Sequence, residues 1–155
     1  MKKDVLQMLE PKENVNQKLA NAIKKLDDIT NEHKYAALCL KIADMYNAIP
    51  KNERPSYDKT IGNRALNDWY CTDCESDEDA NGYEEYIKIL PISCEDDYAT
   101  DPDFDEDSTD NLKVVKVCYE HVYGPIENWY SDTLDNTYSK EMYQKILKTK
   151  NELTF

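Results

Sequence analysis

Residues 30–50, TNEHKYAALCLKIADMYNAIP, decide the fold because they predict one long amphipathic helix. The helix is expected to begin near Thr30 or Asn31 and to end before Pro50, since proline cannot continue a helix. Its apolar side chains recur with the 3.6-residue period of an α-helix and share one stripe: Tyr35, Leu38, Cys39, Ile42, Met45, Tyr46 and Ile49.

A second helix is predicted upstream of this one. Asn14 is its expected N-cap, with Gln17 three residues later in the position typical of a capping box. The apolar positions that follow keep the helical period: Val15, Leu19, Ala22, Ile23 and Leu26. Nearer the N-terminus, a short helical turn is predicted from Val5, Leu6 and Leu9. Residues 1–49 are therefore expected to form an antiparallel helical hairpin.

Strand-forming segments follow the helices. Tyr83 to Cys94 and Leu112 to Tyr123 are rich in β-branched and aromatic residues, and Ala65 to Cys71 predicts a shorter strand. Pro91 indicates an edge position or a bulge, because it has no N–H to donate. The two longer strands are expected to pair as an antiparallel hairpin, with residues 95–111 as a protruding acidic loop.

The C-terminal part is predicted to be helical. Gly124 and Pro125 break the preceding strand, and Trp129 and Tyr130 are expected in a turn or a short helix. Ser139 is the expected N-cap of a last helix. Its inward residues are predicted to be Tyr143, Ile146, Leu147 and Leu153.

Helices grouped before consecutive strands indicate the α+β class: an N-terminal helical hairpin, a small antiparallel sheet of two or three strands with an acidic loop, and a C-terminal helix. A length of 155 residues fits one domain. The predicted parts of that single domain, 1–155, are a helical hairpin at 1–49, a connector at 50–63, an acidic β region at 64–123 and a C-terminal helical segment at 124–155.

Charge is distributed very unevenly along the chain. Sixteen of the 32 carboxylates lie between Asp73 and Asp110, where Lys88 is the single base, so these 38 residues carry a net charge of −15. The other 117 residues carry a net charge of +2. Such a block attracts cationic surfaces and disfavours contact with nucleic acid or anionic lipid. We therefore expect neither direct nucleic-acid binding nor membrane binding.

Carboxylates alternate along the centre of this block, from Asp101 to Asp107. In an extended chain, side chains two residues apart lie on one side with a spacing of about 6.6 Å. DNA is also a regular line of negative charge, so a protein groove that binds phosphates could accept this array instead. The predicted partner-binding residues are seven acids and two aromatics: Asp96, Asp97, Asp101, Asp103, Asp105, Glu106, Asp107, Tyr98 and Phe104.

These features predict a stoichiometric acidic inhibitor that binds a basic nucleic-acid-binding protein or nuclease complex by DNA or RNA mimicry. In kind, the chain resembles the acidic inhibitors of phage origin (anti-CRISPR and anti-restriction proteins) and the immunity proteins that cap nuclease toxins. The resemblance is compositional, covers the middle quarter of the chain and shares no motif. The alternative is a solvated acidic loop that only keeps the protein soluble.

Two metal sites remain as alternatives to the prediction of no cofactor. Cysteine and histidine spacing could form a zinc site, with Cys94 as a spare ligand, from Cys71, Cys74, Cys118 and His121. On a strand, however, Cys118 and His121 would need a bulge to reach one metal. An EF-hand-like calcium window has Glu78 where its turn requires glycine, and its acids are Asp73, Glu75, Asp77, Asp79 and Glu84.

Catalysis is not expected. No phosphate-binding loop, dinucleotide fingerprint, nucleophile elbow or metalloprotease motif is present, and the two histidines are His33, expected to be solvated, and His121.

Five cysteines and no apolar run after Met1 favour a reducing bacterial cytoplasm with free thiols. Seven aromatic residues exceed what a small core readily absorbs, so some of them are expected at the surface, where they could drive homodimerisation: Tyr57, Trp69, Tyr70, Tyr119, Tyr123, Trp129 and Tyr130.

Overall fold

A computed structural model describes residues 12–61, 70–71, 81–94, 105–122 and 126–155. The helices in these ranges are α1 Lys12–Lys25, α2 Glu32–Ala48, α3 Tyr57–Thr60, α4 Leu134–Thr137 and α5 Lys140–Glu152. The strands are β1 Tyr70–Cys71, β2 Asn81–Pro91, β3 Leu112–Val122 and β4 Ile126–Thr133. All neighbouring strands are antiparallel, in the order β1-β2-β3-β4. The predicted α+β class is confirmed.

Helix α2 is the centre of the fold. The Asn31 side chain caps its N-terminus by accepting a hydrogen bond from the Lys34 N–H at 3.2 Å, and the helix ends two residues before Pro50. Six of the seven predicted stripe residues are buried, and the seventh, Met45, packs partly buried against the same core. The periodicity of residues 30–50 therefore predicted both the helix and its buried face correctly.

Helix α1 begins earlier than predicted. Asn14 lies inside the helix and is not its N-cap, because the helix-favouring Lys12 and Glu13 extend it upstream. Val15 is 41% exposed although it follows the apolar period. The other predicted inward residues are buried: Leu19, Ala22, Ile23 and Leu26. Residues 1–11, with the predicted turn at Val5, Leu6 and Leu9, lie outside the described residues.

Strands β2 and β3 pair along their whole length, from Asn81 opposite Val122 to Pro91 opposite Leu112. Strand β2 begins at Asn81, before the predicted Tyr83, and ends at Pro91, before the predicted Cys94, because Ile92–Cys94 form a 3₁₀ helix. Proline fits this last position, since the ladder ends there. The buried residues of these strands that join the core with the helices are Ile87, Ile89, Leu112 and Val114.

The C-terminal part differs from the prediction. Trp129 and Tyr130 lie in β4, which pairs with β3, and not in a turn or short helix. Residues 124–155 are therefore not wholly helical. Aromatic and β-branched residues favour a strand once a neighbouring strand offers hydrogen bonds. Gly124 and Pro125 lie outside the described residues.

The last helix agrees with the prediction. Ser139 caps α5 by accepting a hydrogen bond from the Met142 N–H at 3.2 Å, and Ile146 is fully buried. The other predicted inward residues are partly buried: Tyr143, Leu147 and Leu153.

The predicted connector at 50–63 contains structure of its own. Lys51–Glu53 form a 3₁₀ turn, and α3 buries Tyr57 while Ile61 is buried directly after it. This segment therefore contributes to the core. Of the predicted strand Ala65 to Cys71, the described part is β1, which pairs with Glu84 and Glu85. The assignment of the chain to a single domain stays a prediction.

Within the described part of the chain, no helix combines the length and the apolarity that a membrane crossing requires.

Candidate partner-binding surface

Three of the nine predicted partner-binding residues are described: Asp105, Glu106 and Asp107. The other six lie outside the described residues: Asp96, Asp97, Tyr98, Asp101, Asp103 and Phe104. We use the name acidic turn for residues 105–111, which lead into β3.

The acidic turn holds its shape through local hydrogen bonds. The Asp105 Oδ1 accepts from the Asp107 N–H at 3.0 Å, and the Asp105 carbonyl accepts from the Ser108 N–H at 3.2 Å. The side chains of Asp105, Glu106 and Asp107 are exposed. Within the described residues, none of the three forms a salt bridge with a basic side chain. Their negative charges therefore face solvent.

Helix α3 fixes the backbone of the acidic turn. The Tyr57 N–H donates to the Ser108 carbonyl at 2.9 Å, and the Asp58 N–H donates to the Glu106 carbonyl at 2.8 Å. The first N–H groups of a helix have no partner inside the helix, so the turn satisfies two of them. Asp58 is itself exposed and adds a carboxylate beside the turn that the sequence analysis missed.

Arg54 joins the end of α2 to the acidic turn through four hydrogen bonds. Its Nε donates to the Ile49 carbonyl at 2.7 Å and its Nη2 to the Asn47 carbonyl at 2.8 Å, which satisfies carbonyls at the helix C-terminus. Its Nη1 donates to the Thr109 carbonyl at 3.1 Å and to the Asn111 Oδ1 at 2.8 Å. One planar guanidinium thus fixes two segments of the chain.

Asn47 provides a second link, at the start of β3. Its Oδ1 accepts from the Leu112 N–H at 2.7 Å, and its Nδ2 donates to the Leu112 carbonyl at 2.9 Å. The side-chain amide therefore pairs with both backbone groups of Leu112, as a neighbouring strand would. This contact sets where the acidic turn ends and the sheet begins.

Replacing Asn47 with alanine is expected to lower the free energy of unfolding by about 1 to 2 kcal/mol, because two partly buried backbone groups lose their partner. Urea denaturation would measure this loss. Asn52→Ala is the control, since Asn52 is an exposed asparagine close by in the chain. Equal stability of the two variants would contradict a structural role for the Asn47–Leu112 pairing.

Asp110 differs from the other acids of the turn. Its Oδ1 lies 3.3 Å from the Lys51 Nζ. Hydrogen bonds from Lys51 and Ser93 hold the pKa of the Asp110 carboxyl below its ordinary value of 3.8. Asp110 is therefore engaged within the protein, whereas residues 105–107 are the acids that the turn presents.

Replacing Asp110 with asparagine is expected to remove a pH-dependent contribution to stability. Because the pKa is lowered in the folded state, this contribution is fully present above the unfolded-state value of about 3.8 and disappears as the pH falls through the lowered pKa. Thermal unfolding between about pH 6 and pH 3 would show a Tm advantage of wild type over Asp110→Asn that shrinks on acidification. A difference that stays constant over this range would contradict the assignment.

The one base of the acidic block is not at the surface. Lys88 in β2 is 2% exposed. In the antiparallel register it lies opposite Val115, which is also buried. The single base of the acidic block is therefore part of the folded interior and not of the protein surface.

Two of the predicted zinc ligands, Cys118 and His121, lie in β3, whereas Cys71 lies in β1, which is separated from β3 by β2. Cys71 in β1 pairs with Glu84, and Cys118 in β3 pairs with Glu85. Pairing of β3 with β2 continues without a shift through His121, whereas pairing of β3 with β4 shifts after Glu120.

Among the described residues, no group of three or more histidine, cysteine or acidic side chains could hold a metal ion. Cys74 lies outside these residues, as do four acids of the calcium window, Asp73, Glu75, Asp77 and Asp79. Both metal sites stay predictions.

The Cys39 thiol and the His33 imidazole are two groups that catalysis could use, and burial affects both of them. Cys39 is a free thiol that is 1% exposed in the core, and burial raises its pKa, which disfavours the reactive thiolate. His33 is partly buried and not fully solvated as predicted. Burial, followed by the charges of Lys145 and Lys34, lowers the pKa of His33.

Sequence reasoning missed the residues that hold the acidic turn. Arg54 and Asn47 contact residues 55 to 65 positions later in the chain, and no local pattern marks such contacts. Arg54 between two predicted elements was the available signal, because an arginine there can satisfy carbonyls at the end of a helix.

Comparison of the chain with protein-family models, with curated proteins and with solved structures finds no match.

Proposed function

We propose that this protein is a non-enzymatic, stoichiometric inhibitor that acts in the bacterial cytoplasm. It binds the cationic surface of a nucleic-acid-handling protein in the place of DNA or RNA. The observation that carries the proposal is the exposure of Asp105, Glu106 and Asp107 on a turn whose backbone is hydrogen-bonded to α3.

Anchoring of the turn supports tight binding. A flexible acidic loop loses conformational freedom when it binds, and this loss opposes association. In the acidic turn the carbonyls of Glu106 and Ser108 already accept hydrogen bonds from α3, and Arg54 holds the carbonyl of Thr109. The entropy of ordering these residues is therefore largely spent on folding and not on binding.

The overall charge distribution supports fast and selective association. Residues 73–110 carry −15 and the rest of the chain +2, a separation of charge that we expect to give the molecule an electric dipole. Such a dipole orients a protein as it approaches an oppositely charged partner and raises the association rate at low salt. It also repels nucleic acid, which the inhibitor would have to displace.

Two kinds of inhibitor fit this electrostatic design. One is directed against a defence system of the anti-CRISPR or anti-restriction type, and the other is an immunity protein against a nuclease toxin. We favour the first, and the neighbouring genes discriminate them. A phage or mobile-element setting supports the first, and an adjacent toxin gene supports the second.

Affinity capture from a host lysate containing its phage-defence proteins tests the proposal. The full chain is immobilised, and bound proteins are eluted by raising the salt concentration from about 0.05 M to about 1 M, which screens exposed charges. We expect a specific basic, nucleic-acid-binding protein that elutes steeply with salt and is competed off by duplex DNA. Capture of only neutral or acidic proteins would contradict the proposal.

A further inference from the structure

A partly open cavity of about 260 Å³ lies between α1, Pro55 and α3. Its lining is largely apolar, from Leu19, Ala20 and Ile23 of α1 and from Pro55 ahead of α3. Leu19 and Ile23 also belong to the hydrophobic core, so the cavity opens directly onto packed apolar side chains. An alkyl chain that entered it would be removed from water on several sides.

Two lysines from different elements line the same cavity: Lys24 in the last turn of α1 and Lys59 in α3. Both are exposed, so their ammonium groups can reach the mouth of the cavity. Neither forms a salt bridge with another side chain in the described part of the chain. In a protein of net charge −13, two such lysines beside one apolar cavity provide a local positive charge.

From this arrangement we propose that the cavity binds a small amphipathic carboxylate, with its alkyl chain against Leu19 and Ile23 and its carboxylate between Lys24 and Lys59. The occupant is distinct from the cationic partner of the acidic turn, because its charge has the opposite sign. The apolar lining of the cavity would contact the alkyl chain of the ligand, and the ammonium groups of the two lysines would bind its carboxylate.

Octanoate and its neutral analogue octanamide are the probes. In a methyl-detected NMR titration of the full-length protein, octanoate is expected to shift the methyl resonances of Leu19 and Ile23 with a Kd of about 1 mM. Octanamide is expected to bind about tenfold more weakly, because it lacks the charge. Absence of these shifts with octanoate, or equal binding of both probes, would overturn the proposal.

Two variants separate the contributions of charge and shape. Lys24→Gln/Lys59→Gln is expected to weaken octanoate about tenfold and to leave octanamide unchanged. Ala20→Leu keeps both lysines and fills the cavity with a branched side chain, so neither probe is expected to bind. The matched control is Lys140→Gln/Lys148→Gln, which removes two exposed lysines from α5. If the control variant lost octanoate affinity equally, net charge would explain the effect and the proposed binding site would be wrong.

Discussion

Replacing Arg54 with methionine is expected to lower the free energy of unfolding by about 3 kcal/mol, the largest loss from a single substitution that we predict. Methionine fills similar space but donates no hydrogen bond. The carbonyls of Asn47, Ile49 and Thr109 then lose a charged donor, and these contacts are partly buried. The Tyr46 ring also loses the guanidinium that lies 5.4 Å from its centroid.

Urea denaturation measures this change, and hydrogen exchange locates it. The Tyr57 and Asp58 amides, which donate to the acidic turn, are expected to exchange faster in Arg54→Met. Arg54→Lys keeps the positive charge but lacks the planar guanidinium, so it should retain less than half of the free energy of unfolding that Arg54→Met loses. Lys51→Met is the control, because its contact with Asp110 is exposed and worth about 1 kcal/mol or less. A loss below about 1 kcal/mol in Arg54→Met would contradict the anchoring role.

Converting Asp105, Glu106 and Asp107 to their amides (D105N/E106Q/D107N) is expected to weaken binding to the captured partner by at least about tenfold at low salt. The fold should be retained, because the amide introduced at position 105 keeps an oxygen that can accept from the residue-107 N–H. Relief of repulsion among three adjacent negative charges also offsets any small loss of stability.

Binding is measured by surface plasmon resonance at several salt concentrations, and most of the loss should appear in the association rate. The control is D135N/E141Q/E152Q, which removes the same charge from exposed positions near and in α5. If both triple variants lost affinity equally, net charge and not the acidic turn would explain binding. An unchanged affinity of D105N/E106Q/D107N would rule out the turn as the contact surface.

The three long helices, α1, α2 and α5, could be predicted because their information is local. In α2 the apolar period, the Asn31 cap and Pro50 all lie within the segment itself, and each prediction is confirmed. Strand β4 could not be predicted in the same way. Trp129 and Tyr130 follow a Gly-Pro pair that indicates a turn, and they are in a strand because β3 provides the partner.

The charge of the candidate site could be predicted, but its support could not. The acids of residues 105–107 are plain in the sequence, and the structure places them on the surface. Their anchoring depends on Arg54, Asn47 and the N–H groups of α3, whose partners are distant in the chain. Hydrogen bonds of this kind carry no periodic pattern, so sequence reasoning identified the acids of residues 105–107 and not the contacts that hold their backbone.

The pairing of Asn47 with Leu112 has a consequence for synthesis of the chain. Asn47 leaves the ribosome 65 residues ahead of Leu112. Until β3 has emerged, the Asn47 side-chain amide near the C-terminal end of α2 therefore lacks its hydrogen-bonding partner. The helices can collapse early, whereas the acidic turn acquires its shape only after β3 has emerged and docked. A nascent chain from which β3 has not yet emerged would thus carry the acids of residues 105–107 without the backbone arrangement that the Asn47–Leu112 pairing holds.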